Sequence, residues 1–335
     1  MNMTKWFSDM IASPEKKAMP ILSFPSIALM GITVRDLIAD GERQAEGMAL
    51  VAARTNAAAS VSMMDLSVEA ECFGSTVRVS EDEVPTVTGS VVDTPEDADA
   101  LRVPSVGEGR TGRYIDALRR AKERITDRPV FAGVIGPFSL AGRLMDVSEI
   151  MVNCYDEPEM VHTVLEKVSG FLIDYANAYK AVGADGIVMA EPLAGLLSPS
   201  LAQEFSADYV RRIVDAVRTD DFAVVYHNCG NTTILTIDSI LSTGATAYHF
   251  GDAIDMREML PHIPQDTVVM GNVSPVRGFR NGTPESIAAD TTALLRDCSK
   301  YPNFVISSGC DIPPLSPWEN IDAFFRAVDE FYGRA

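Results

Sequence analysis

Two short segments carry residue types from which a metal site is built, Tyr226-His227-Asn228-Cys229-Gly230 and Ser308-Gly309-Cys310-Asp311. Each follows a β-branched run, 222–226 and 304–307, that reads as a strand. Residues two apart on a strand point to the same side, so His227 and Cys229 can converge, and Cys310 would reach them from another strand end. Two thiolates and an imidazole suit zinc, and three protein ligands leave one position for a substrate. A cysteine in a core is ordinarily a small hydrophobe, and His-x-Cys is a short pattern by itself. The metal reading gains weight because both segments end strands, the face on which a parallel barrel builds its active sites.

The surrounding pattern is that of successive βα units. Apolar runs at 130–135, 186–190, 222–226, 246–250, 267–270 and 304–307 alternate with helical patterns such as 159–181 and 202–217. Runs at 26–30 and 59–64 would bring the strand count to eight. The expected fold is therefore α/β, a (β/α)8 TIM barrel forming a single domain over 1–335, with 1–18 an N-terminal helical extension lying outside a barrel of 19–335. The stretch 75–92 alternates like a small hairpin insertion, and 93–108 reads as a loop before a helix at 114–125. Helix starts are expected at Ser198-Pro199, Thr283-Pro284 and Ser316-Pro317, the last with Glu319 completing a capping box. At strand ends, Glu191 and Asn272 are expected to face the cavity and contact substrate, whereas Asp65 and Glu69 read equally well as capping or solvated groups. His162 and His262 read as surface residues.

Composition limits the partners. With 335 residues at 47% hydrophobic content the chain can bury a large core. Its 47 acidic and 28 basic residues give a net charge of −19, which repels phosphate backbones and anionic membrane surfaces. No nucleic acid partner is expected. No apolar run reaches the roughly 18 residues of a membrane span, and 1–17 lacks a signal-peptide core, so no membrane association and a cytoplasmic location are expected. Five cysteines do not form a disulfide framework, and Cys72, Cys154 and Cys298 read as reduced, packed thiols. The basic run 119–124 reads as a solvated helix face, or alternatively as a patch for an acidic partner.

His227-x-Cys229-Gly230-Asn231-Thr232, Gly271-Asn272-Val273-Ser274-Pro275 and Ser308-Gly309-Cys310-Asp311-Ile312-Pro313 together resemble the zinc methyltransferases of the uroporphyrinogen decarboxylase superfamily. The nearest likeness is to methylcobamide:coenzyme M methyltransferases, and it extends from 65–74 to the C-terminus. The resemblance implies Zn2+ on His227, Cys229 and Cys310, which would also be the catalytic set. It implies a methyl group carried as methylcobalamin or a related corrinoid on a partner protein, and a small thiol such as coenzyme M as acceptor. The chain contains no Asp-x-His-x-x-Gly corrinoid signature, so the corrinoid would arrive on a separate protein. The decarboxylase reaction is disfavoured, because Met19-Pro20-Ile21-Leu22-Ser23-Phe24-Pro25 stands, without a basic residue, where that enzyme has an arginine-rich motif for porphyrinogen carboxylates. One departure concerns a displaceable carboxylate ligand that related enzymes supply where Gly251 stands here. Asp252, His249 and Glu191 are the candidates for that place, and Asp252 and His249 are grouped with Glu191 and Asn272 as substrate-side residues. Two alternatives stay open: a donor-side enzyme moving methyl from a methoxy or methylamine compound to a corrinoid protein, and a non-catalytic, zinc-stabilised scaffold that binds a corrinoid protein.

Overall fold

The computed structural model describes residues 1–334. Nine strands occur among them: β1 (Ser60–Val61), β2 (Thr76–Arg78), β3 (Thr86–Thr88), β4 (Val130–Ile135), β5 (Gly186–Ala190), β6 (Ala223–Asn228), β7 (Ala247–Phe250), β8 (Val268–Val273) and β9 (Phe304–Ser308). Seven of these form one curled parallel sheet in the order β1-β4-β5-β6-β7-β8-β9. β2 and β3 form the expected antiparallel hairpin, with Thr76 opposite Thr88.

The eighth stave of this TIM-barrel-like fold departs from expectation. The run at 26–30 is the helix Ser26–Met30, ended by Gly31 in the left-handed region at φ 65. Its Ala, Leu and Met favour a helix, and Gly31 supplies the stop. The gap between β9 and β1 is instead bridged by extended chain just upstream. Met19 N donates to Ile306 O at 3.0 Å and Ala58 N donates to Ala18 O at 2.8 Å. Ser23 Oγ donates to Val61 O, and Ile21 N donates to Ser308 Oγ at 3.0 Å. Pro20 has no N–H, so side-chain hydroxyls replace part of a regular ladder here.

Period-two alternation gives the sheet two apolar faces. One face packs under the helices, among them Pro158–Ala181, Pro284–Cys298 and Trp318–Phe331. The other forms a separate interior cluster from Val188, Ala190, Ala223, Val225, Ala247, Val268, Met270 and Val305. Met3 and Phe7 of the helix Met3–Ala12 belong to that interior cluster, so this helix plugs the amino end of the barrel rather than lying outside it. Its attachment includes Met3 N donating to Asp220 O at 2.6 Å.

Two further local expectations are corrected. The stretch 93–108 contains the helix Pro95–Ala100, started by a Thr94/Asp97 capping box. The helix Trp318–Phe331 has Pro317 as its N-cap without a side-chain bond, so the Ser316/Glu319 box does not form. The boxes at Thr283/Ser286 and the Ser198 cap do form.

Candidate metal centre

The next rung above the interior cluster is polar. Continuing the parity of Val225, His227 points inward from β6, and its ladder partner His249 does the same from β7. Cys229 lies one residue beyond β6 and Cys310 two beyond β9. One ligand atom from each of His227, Cys229 and Cys310 falls within 4.8 Å of the others, a spacing that fits one metal ion. His227 Nδ1 is taken by His249 Nδ1 at 2.7 Å. His227 Nε2 is buried and has no hydrogen-bond partner. An orphaned imidazole nitrogen beside two half-buried thiols is the donor set that zinc fills, so the residues fit the metal that the sequence suggests. The neighbouring Cys310 thiol holds Cys229 below its ordinary value, while Cys229 and burial push Cys310 up to about 12.

Close packing of three loops places these groups. Asn228 Oδ1 accepts from Gly230 N at 2.9 Å and from Thr233 Oγ at 2.9 Å, and its amide donates to Glu191 O at 3.0 Å. This clamps the turn that carries Cys229. Gly251 N donates to Asn228 O at 3.0 Å, and a Cβ on Gly251 would lie only 2.6 Å from Cys229 Cα. Any side chain at 251 would therefore displace Cys229, which is why no carboxylate stands there. A Cβ on Gly309 would likewise meet Asp252 N at 2.6 Å.

Asp252 is exposed on the loop beside Cys229, where its charge opposes thiolate formation, but its carboxylate is not among the converging atoms. His249 is 1% exposed and lies behind His227 rather than at the cavity, with Nε2 2.8 Å from Ser307 Oγ. Burial and the neighbouring His227 hold its imidazole well below the usual histidine value. Glu191 is fully buried and turns toward the start of the helix Pro137–Met145, accepting from Ser139 N at 2.6 Å and Phe138 N at 3.2 Å. Burial pushes it up to about 7. Asn272 donates to Gly251 O at 3.0 Å and Ile254 O at 2.6 Å, tying down the loop after β7. Glu191 and the Asn272 amide group thus serve backbone positions. Asp65 is buried with Arg110, Ser67 and Tyr114, and Glu69 accepts from Ile135 N at 3.1 Å. His162 is half-buried, stacked on Phe205 and 2.8 Å from Tyr209 Oη, and His262 is exposed.

Three residues were not singled out from sequence. Ser307 joins His249 to the backbone, donating to Met19 O at 2.8 Å. Asp311 follows Cys310 with its Oδ1 buried and unpartnered, and burial holds its carboxyl well above the usual range. Arg143 lines a cavity of about 140 Å³ with Met64, Leu66, Ser67, Val84, Pro85 and Val87, and its buried Nε has no partner. Alternating apolarity could not reveal Ser307 as a relay, since serine in a strand is unremarkable. Arg143 sits in a helix, where an arginine reads as a solvated group. The basic run 119–124, by contrast, is internally neutralised: Arg119 pairs with Asp116, Arg120 with Glu42 and Lys122 with Asp185 at 2.8, 2.6 and 2.5 Å.

Comparison with known proteins agrees with this architecture. Residues 16–331 match the family profile described as uroporphyrinogen decarboxylase (URO-D). The chain is 29% identical over 271 residues to the methylcobamide:CoM methyltransferase MtbA of Methanosarcina acetivorans, covering 80% of this chain and 78% of that protein. It is also 28% identical over 264 residues to the uroporphyrinogen decarboxylase of Coxiella burnetii, covering 74% and 71% respectively. Among solved structures, a methyltransferase from Methanosarcina mazei superposes with a TM-score of 0.87 at 23% identity over 99% of this chain and 98% of that one, a likeness of fold.

Proposed function

Because the chain belongs to the uroporphyrinogen decarboxylase (URO-D) family, we propose that His227, Cys229 and Cys310 hold a zinc ion and that the protein transfers a methyl group between a corrinoid protein and a small thiol such as coenzyme M. The observation that carries this reading is the buried, unpartnered His227 Nε2 facing a pair of thiols. A decarboxylase has no use for such a donor set. It needs cations for a multiply carboxylated tetrapyrrole, and the stave from Ala18 to Ser23 that seals this barrel carries no basic residue. Nor does a closed structural zinc fit as well, since the three donors leave a coordination place unfilled by protein.

When bound, zinc would supply the positive charge that stabilises an acceptor thiol as its thiolate near neutral pH. The protein's own contribution is alignment. Asn228, Gly230 and Gly251 fix Cys229, and the Gly309 N to Val273 O bond of 2.7 Å fixes the approach of Cys310. Sulfur and methyl carbon must meet nearly in line, and holding them so contributes several kcal/mol, order of magnitude. The acceptor sulfur gains the methyl group, the corrinoid retains the bonding pair and the thiol proton leaves. Arg143, whose Nε is buried without a partner beside a small cavity, is the cation proposed for the anionic end of an acceptor, because a partly buried guanidinium without a counter-ion favours one. A cytoplasmic location fits this chemistry, and among the described residues no helix is long and apolar enough to cross a membrane.

The test is demethylation of methylcobalamin by the zinc-loaded protein with a panel of thiols, followed at the corrinoid absorption bands. Turnover with a small anionic thiol is expected. Inactivity with every thiol, together with methylation of reduced cobalamin by methoxy or methylamine compounds, would replace this reading with a donor-side enzyme.

A further inference from the structure

The polar rung inside the barrel contains one chain of hydrogen bonds whose direction can be worked out from its end. Ser307 Oγ lies 2.8 Å from Met19 O, a backbone carbonyl that can only accept. The single hydroxyl hydrogen is therefore spent on Met19, and Ser307 Oγ can only accept from His249 Nε2, also 2.8 Å away. His249 thus carries a hydrogen on Nε2. It is 1% exposed and has no carboxylate among its hydrogen-bond partners, so the ring is neutral and its Nδ1 holds a lone pair. The 2.7 Å contact between the two Nδ1 atoms then requires the hydrogen to sit on His227. His227 Nε2, in turn, is left with a free lone pair, matching its lack of any partner.

We propose that His249, anchored through Ser307 to the Met19 carbonyl, is a positioning residue that fixes the tautomer of His227, keeping the proton on Nδ1 and the Nε2 lone pair aimed at the two cysteines. The directional chain stands without a metal; its role in metal capture rests on the zinc reading above. A ligating histidine commonly donates its second nitrogen to a carboxylate or carbonyl. Here a second imidazole takes that part, with a hydroxyl and a carbonyl fixing its own orientation in series.

The protein has only four histidines, so the test is direct. Metal-free, 15N-histidine-labelled full-length protein is examined by long-range 1H–15N correlation, which separates the two neutral tautomers. The expected result is His249 protonated on Nε2 and His227 on Nδ1. Finding His227 protonated on Nε2 would overturn the proposal without any variant being made. In zinc competition against a chromophoric chelator, H249L should lower affinity about 10- to 100-fold. H249N, whose amide oxygen can still accept from His227 Nδ1, should recover most of that loss, and S307A should fall between them. Unchanged affinity and an unchanged His227 tautomer in H249L would also overturn it. A wild-type chain with the expected tautomers that fails to bind zinc would sustain the relay while removing the methyltransferase reading.

Discussion

Replacing Cys310 by Ala tests whether the proposed zinc is open and catalytic or structural. The thiol is half-buried, and the loop around it is held by backbone bonds, among them Ile312 N to Ile21 O at 3.0 Å. C310A is therefore expected to keep its circular dichroism and melting behaviour, to drop from about one zinc per chain toward none, and to lose about 100-fold or more in methyl transfer. Arg143 is tested by comparing thiols of equal length with and without an anionic end. R143Q should raise KM for the anionic thiol about 10- to 100-fold and leave the neutral one nearly unchanged, the worth of one charge-assisted hydrogen bond. Legibility at this scale follows chemistry. His227, Cys229 and Cys310 stand out because few residue types bind soft metals, and strand parity says which way two of them point. Glu191 and Asn272 show the limit of the same reasoning: a polar group at a strand end is as readily claimed by an orphaned N–H or a loop carbonyl as by a ligand.

The loops that follow β6, β7 and β9 meet through glycines, and there the element scale decides the site. Adding one methyl at Gly251 drives Cβ into Cys229. G251A should cost about 1–3 kcal/mol in urea unfolding and weaken zinc binding, although residue 251 offers no ligand atom. The boundaries of β4 and β5 were legible to the residue because both are continuous apolar runs buried on two faces. The polar ends of β6 and β8 were not, since Asn228 and Asn272 remain in the ladder for reasons that lie in neighbouring chains. Sequence does not tell the stave at 18–23 from the helix at 26–30, because both stretches are apolar and only tertiary hydrogen bonds to β9 distinguish them.

Glu69, in the helix Val68–Cys72, contributes to the pH response of the molecule as a whole. Burial raises its carboxyl from 4.5 to about 7. The folded protein thus binds a proton more tightly than the unfolded chain, so this stabilising contribution is complete below about pH 4.5 and is lost as pH rises to about 7. Its size is on the order of 3 kcal/mol. Urea unfolding at pH 5 and pH 8 should show the decline, and E69Q should remove that share of it. The net charge of −19 acts in the same direction as pH rises, but salt should weaken that part and leave the Glu69 part in place. The barrel closes when Met19 meets Ile306 and Ser307, a contact between nearly opposite ends of the chain. Contacts so distant in sequence form late and slowly. A nascent chain still lacking β9 has an open seam, no Cys310 and no anchor for the His249 ring. Metal uptake is therefore expected to follow release from the ribosome, and a chain stopped before residue 304 should neither seal its barrel nor hold zinc.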